Sequence, residues 1–172
     1  MPIALVGLPP ITDEALERIG RANDGWAFER DDAGDLVARP THTRGGSRNA
    51  AALAQLMAWA STTGNGTVFE SSTGFKLKSG AIRSPDASWV SNARIAALQA
   101  TERVGFWPLC PDVVVEIASD SDRWSDVVAK IEMYARNGAT FAIGIDPESR
   151  TVFSLGEAPA GLRFDIDAIC EG

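Results

Sequence analysis

Residues 112–118 read Asp-Val-Val-Val-Glu-Ile-Ala, a run in which Val113, Val114, Val115 and Ile117 are β-branched. Such side chains lose little rotamer freedom on a pleated strand, and the run does not alternate with polar residues, so both faces of the strand are expected to be covered. A strand buried on both faces demands a layered fold, with packing elements above and below a sheet. Glu116 is the exception within the run. A carboxylate in the most apolar strand of the chain is costly unless it is paired or faces a cation. The alternative is a strand-end acid with its head in water.

The rest of the chain supplies the layers. Thr12 is placed to cap a helix that runs to about residue 22, with Asp13 and Glu14 in its first turn. Residues 26–29 and 35–38 read as a hairpin around a polar turn ending at Gly34. A longer helix is expected from residue 46 or 47 to about residue 60, with Leu53, Leu56, Met57 and Ala60 on one face and Asn49 within that face. Short β-rich runs follow at 67–72, 74–77 and 84–90, then a helical piece at 93–98. After the 112–118 strand come a helix over 125–137 ended by Gly138, and strands at 140–145 and 151–155. Residues 162–166 alternate in a way that suits an extra edge strand or a dimer contact. This order predicts an α/β chain of the α+β type, one mixed sheet with helices packed on it. Its parts are a lead-in and helix over 1–25 and a main domain over 26–172, forming a single compact unit.

Composition excludes several kinds of chemistry. The 172 residues include only Cys110 and Cys170 as cysteines and only His42 as a histidine. That argues against a disulfide scaffold, most Cys/His metal sites and a Ser-His-Asp catalyst. No apolar run reaches the ~20 residues of a membrane span, and the start of the chain makes a poor signal peptide, so a cytoplasmic protein is expected. The net charge of −7, from 16 basic and 23 acidic residues, is wrong for a general nucleic-acid coat. Local basic segments remain. Arg39, Arg44 and Arg48 lie in a stretch with His42 and no acid, and Lys76, Lys78, Arg83 and Arg94 are opposed only by Asp86 between residues 71 and 95. Arg44, Arg48, Lys76, Lys78 and Arg83 are therefore candidate contacts to a phosphate backbone, or else solvated loop charges. The Arg44-Gly45-Gly46-Ser47 stretch at a helix start reads equally as a phosphate cradle or as a turn and cap. Trp89, Trp107 and Trp124 read as core or interface residues.

Two further residues accompany Glu116. Asp86 follows Pro85 inside an expected strand, where proline marks an edge or a bulge and re-aims the next side chain. Lys130 lies at the border of the apolar face of its helix, where it leans towards the sheet or snorkels to water. Two acids and a lysine at one end of a sheet suit phosphodiester hydrolysis with Mg²⁺, the acids holding the ion and the lysine assisting a water. Each also has a plainer reading, Asp86 as a turn or edge residue and Lys130 as a boundary lysine.

Several separate stretches resemble one family. They are 67–77, 82–90 and 106–116, the helix end at Tyr134-Ala135-Arg136-Asn137-Gly138-Ala139, and Ile145-Asp146-Pro147 with Val152. In this order they are similar to the Uma2 family, which belongs by fold to the PD-(D/E)XK nucleases. The resemblance spans about residues 26–156. It implies a restriction-endonuclease-like mixed β-sheet core flanked by helices, with Asp86 and Glu116 as metal-binding acids. In the usual pattern a lysine stands two residues after the second acid, where this chain has Ala118. Family members resemble a variant with that lysine on the following helix, which implicates Lys130. Glu29, in the strand matching the family's early acidic motif, is a further candidate, with Asn49 and then Glu70 behind it. Where relatives often read Ser-Pro-Ser-Asp, this chain has Ser119-Asp120-Ser121-Asp122, which is expected to loosen the turn. The resemblance implies a Mg²⁺-dependent endonuclease, with Mn²⁺ as an alternative ion, acting on DNA. A small single-domain nuclease that cuts both strands usually needs two active sites, which suits a homodimer. The rival reading is a catalytically silent nucleic-acid- or protein-binding module that keeps the fold. A hydrolase of some other substrate class would need a deep pocket in place of an open cleft.

Overall fold

A computed structural model describes residues 3–40 and 43–172, and for residues 43–45 the helical backbone alone. The chain opens with strand β1 (Ile3–Leu5) and helix α1 (Asp13–Ala22), whose N-cap Thr12 accepts a hydrogen bond from the Ala15 N–H. A hairpin follows, β2 (Trp26–Arg30) and β3 (Leu36–Pro40). Its turn is closed by Asp31, whose side chain accepts from the Ala33 and Asp35 N–H groups, while Gly34 takes a φ of +88°.

Helix α2 (Thr43–Thr63) begins earlier and ends later than its apolar pattern predicts. Its core face is built from Ala52, Leu56, Trp59 and Ala60. Met57, expected among them, is 55% exposed, because the helix is rotated to put Trp59 against Trp89, ring centroids 5.1 Å apart. Then come β4 (Gly66–Glu70), β5 (Phe75–Lys76), β6 (Ile82–Arg83), β7 (Ala87–Ser91) and α3 (Asn92–Ala97). The second half consists of β8 (Val113–Ile117), α4 (Trp124–Asn137), β9 (Phe141–Asp146), β10 (Thr151–Gly156) and α5 (Ile166–Glu171).

Among the described residues the strands form two five-stranded sheets where the sequence suggested one. The first, antiparallel throughout, has the order β1-β3-β2-β6-β5, and the second has the order β10-β9-β8-β7-β4. The second is mixed, because β8 and β9 run parallel across the α4 crossover. The expected strand over 84–90 holds only from Ala87, as β7, and residues 84–86 are the crossing between the sheets. β6 ends at Arg83 in the first, β7 starts at Ala87 in the second, and Pro85 and Asp86 lie in the break. Proline has no N–H for a ladder, so the pairing stops there.

β8 is central in the second sheet and buried along its whole length. Val113, Val115 and Ile117 join the cluster under α2 and α5, and Val114 faces the cluster under α4. Glu116 shares the α4 side by strand alternation. The tail over 162–166 forms no strand. Leu162 is buried under α2, Phe164 packs beside it, and Asp165 caps α5, so the alternation reflects anchoring points along an irregular segment.

Candidate active site

The site is built where β8 ends, between the β6–β7 crossing and α4. Ile117 donates its backbone N–H to Asp86 Oδ2 at 2.7 Å, and the preceding residue is Glu116. Asn49 of α2 donates to the other oxygen, Asp86 Oδ1, at 2.8 Å. On the α4 face, Lys130 Nζ lies 3.2 Å from Glu116 Oε2, and the Tyr134 hydroxyl donates to Glu116 Oε1 at 2.8 Å. Lys130 and Tyr134 are four residues apart, one helical turn, and so reach one carboxylate from one helix face.

Helix α4 can come this close because of Gly144, which pairs with Glu116 across the β8–β9 ladder. A Cβ on Gly144 would meet Val127 Cγ1 at 2.9 Å and Ile131 Cγ1 at 3.1 Å. At the other end of the helix, Gly138 adopts a φ of +107° and donates back to the last-turn carbonyls, stopping α4 in register.

Glu29 lies next to these groups but is differently employed. It is 1% exposed and accepts from Arg39 Nη2 at 2.9 Å, Arg83 Nη1 at 3.1 Å and the Ser84 N–H at 3.0 Å. Burial alone would push its carboxyl up, but Arg39, Lys130, Arg83 and that N–H outweigh it and hold Glu29 well below the usual carboxylate range. With both oxygens held this way, Glu29 anchors two arginines. Arg83, expected at a phosphate backbone, is 8% exposed and is consumed in that cluster.

Asp86 moves in the opposite direction. Burial first, and then the negative charge of Glu116, raise its carboxyl to about 6 against the hydrogen bond from Ile117 and the charges of Arg39 and Lys130. Tyr134 is raised well above the ordinary phenol by burial and by the charges of Glu116 and Glu29, so at neutral pH it is a donor to Glu116. Arg39 is held even more firmly protonated than an ordinary arginine, chiefly by Glu29, with Glu116 and Asp86 adding.

Arg39 is the residue that sequence reasoning missed as part of the site, having read it only as one of a run of basic residues. It borders both cavities of the site. One is a cleft of about 1030 Å³ reaching Asp86 and Asn49, and the other is a void of about 50 Å³ reaching Glu29, Glu116 and Lys130. Its Nε is buried without a hydrogen-bond partner. The signal lay in the hairpin. Glu29 pairs with Val37, so Arg39 is the diagonal neighbour on the same face.

The other expected contacts fall elsewhere. Arg48 borders the cleft, within 3.3 Å of Glu148 and 3.8 Å of Asp120. Lys76 is paired with Asp13 at 2.5 Å, Lys78 is exposed near the end of α4, and neither borders the cleft. The side chain of Arg44 and all of His42 lie outside the described residues. Glu70 is exposed and folds back onto the Ser72 N–H and hydroxyl. The turn after β8, expected to be loose without its proline, is closed by Asp122 Oδ2, which accepts from the Ser119 N–H at 2.9 Å and its hydroxyl at 2.7 Å.

Among the described residues no three His, Cys, Asp or Glu side chains are grouped to hold a metal ion. Asp86 and Glu116 give a pair of hard oxygen donors at the end of β8, and the charge of Glu116 helps to raise the carboxyl of Asp86. That fits Mg²⁺, which commonly takes one or two carboxylates and fills its remaining positions with water and substrate phosphate.

Comparison with known proteins bears on the family and the fold. The model of the Uma2 family, described as "Putative restriction endonuclease", matches residues 13–162. A crystal structure from Anabaena variabilis, titled as a "putative nuclease belonging to DUF820", superposes with a TM-score of 0.75 at 18% identity, covering 94% of this chain and 98% of that one. None of the curated proteins matches.

Proposed function

Because the chain belongs to the Uma2 family, we propose that it is a Mg²⁺-dependent endonuclease hydrolysing DNA phosphodiester bonds at Asp86, Glu116 and Lys130. The observation that carries this reading is the meeting at the end of β8. Consecutive residues there present the N–H that fixes Asp86 and the carboxylate that holds Lys130. Asp86 and Glu116 would hold the ion, which when bound polarises the phosphate and lowers the pKa of a coordinated water.

The chain's own residues do the rest. Tyr134 and Asn49 fix the carboxylates through one oxygen of each. Lys130 reaches the same carboxylate from α4 and stands beside the void of about 50 Å³, which has room for water by volume and polar walls to hold it. From there its ammonium orients a water and balances charge developing on the phosphate. Arg39, anchored by Glu29, carries a fixed positive charge to the border of the cleft and the void. Glu29 thus acts through Arg39 and leaves coordination to the other two acids.

No helix among the described residues is long and apolar enough to cross a membrane. A cytoplasmic homodimer completes the proposal.

Cleavage of plasmid DNA in Mg²⁺ or Mn²⁺ tests the reading. The parent is expected to nick or linearise the plasmid, and Asp86→Asn and Glu116→Gln to lose that activity while staying folded. A parent that binds neither ion, with or without DNA, would leave the silent binding module as the better reading.

A further inference from the structure

The cleft at Asp86 has a second half that the reaction does not use. Away from the acids it runs to α1 and is walled by Leu16, Trp26, Phe28 and Phe106. Trp26 is 42% exposed, whereas Trp59 and Trp89 are 8% and 6% exposed in the core. It sits at the start of β2, paired with Pro40 of β3, so its backbone is pinned in the sheet. An exposed, anchored indole in the same cleft as a candidate catalytic acid offers a flat surface to a ring. Every nucleobase has a π-face, and stacking of this kind binds bases without regard to sequence.

Charge argues in the same direction. The cleft is bordered by Arg21, Arg39 and Arg48 but also by Glu17, Asp86, Asp120 and Asp122. Each of those arginines already has an acidic partner, Glu17 for Arg21, Glu29 for Arg39 and Glu148 for Arg48. Outside the cleft Lys76 is bound to Asp13 and Arg94 to Asp112. Binding to an intact duplex depends on rows of cations that neutralise phosphates and release counterions. The described surface around this site does not supply such a row, and the chain as a whole carries −7. What it supplies is an aromatic wall beside a small number of cations, the combination that suits a strand whose bases are unstacked.

We propose that the cleft takes an unpaired DNA strand, with a base stacked on Trp26 and the adjoining phosphate directed to Arg39 and the Asp86–Glu116 end. The proposal rests on the nuclease reading for the second half of that statement only. Ser71 and Ser84 also border the cleft and carry hydroxyl groups that the sugar-phosphate backbone can meet.

The test is fluorescence anisotropy of a labelled 12-nucleotide DNA, single-stranded or annealed to its complement, with the full chain and Ca²⁺ in place of Mg²⁺. The single strand is expected to bind about tenfold or more tightly than the duplex. Trp26→Ala should lose about tenfold or more of that affinity, as stacking-site alanine variants do. Trp26→Phe, which keeps a ring and guards against misfolding as the cause, should retain most of it. Equal or tighter binding of the duplex, or unchanged single-strand binding by Trp26→Ala, would overturn the proposal. Ca²⁺ calorimetry run alongside separates the two ideas. If Ca²⁺ binds the parent and not Asp86→Ala while neither DNA binds, the strand proposal fails and the metal site stands. If Asp86→Ala still binds Ca²⁺, the metal assignment fails, and the anisotropy alone decides the role of Trp26.

Discussion

At the scale of single residues, the site opposes two carboxyls that burial pushes the same way and their partners push apart. Glu29 has two arginines and a backbone N–H, and its charge is favoured; Asp86 has the charge of Glu116 nearby, and its proton is favoured. Because the folded Asp86 titrates at about 6 and an ordinary aspartate near 3.8, its contribution to stability is fully present below pH 3.8. It is lost as the pH rises towards 6, a change of about 3 kcal/mol. The metal-free protein should therefore lose stability between about pH 4 and pH 6. Asp86→Asn should flatten that part of the profile in denaturant titrations at several pH values. An identical slope in parent and variant would show that Asp86 is not the group responsible. Glu116 calls for a different substitution. Alanine there would strand the Tyr134 hydroxyl and Lys130, at a cost of about 3 kcal/mol, so the informative variant is Glu116→Gln. Lys130→Ala should keep metal affinity by calorimetry and lower the cleavage rate by about 10²-fold or more. Unchanged cleavage in that variant would end the case for a lysine supplied by α4.

Among the elements, α4 matters most, because it carries both Lys130 and Tyr134 onto Glu116. Its approach depends on the bare Cα of Gly144, so Gly144→Ala should push the helix outward against Val127 and Ile131. A loss of about 1–3 kcal/mol in chemical denaturation is expected, together with a fall in cleavage larger than the stability loss explains. A variant as stable and as active as the parent would remove Gly144 from the account. Most elements were legible in the sequence for the same reason that they are stable. The β-branched run of β8, the Thr12 cap and the Gly138 stop are local signals that act locally. The exceptions depended on contacts made at a distance. Met57 lies on the apolar side of α2 by spacing, but the Trp59–Trp89 contact sets the helix rotation. Pro85 announced a break in pairing, yet nothing near it revealed that the chain changes sheets there. Asn49 stood out as a polar residue on an apolar face, whereas Arg39 was hidden in a basic stretch until the hairpin register put it beside Glu29.

For the whole molecule, two sheets meet at the Pro85–Asp86 crossing, and the site forms where α2, β8 and α4 converge on it. Glu116 and Ile117 stand on β8, Lys130 and Tyr134 on α4 and Asn49 on α2, and Asp86, in the break between β6 and β7, is held by Asn49 and the Ile117 N–H. The net charge of −7 means that the fold itself does little to attract a polyanion. Removing divalent ions with a chelator should accordingly weaken DNA binding at low salt as well as stop cleavage. DNA binding that is indifferent to chelation would point to a cationic surface elsewhere. The central claim is that Asp86 and Glu116 together make a site for a divalent ion. The direct measurement is calorimetric titration of Mg²⁺ and Mn²⁺ into the parent and into Asp86→Ala. Binding is expected in the parent and is expected to disappear in the variant. Binding that survives in a folded Asp86→Ala protein, or none in the parent with and without DNA, would contradict the claim.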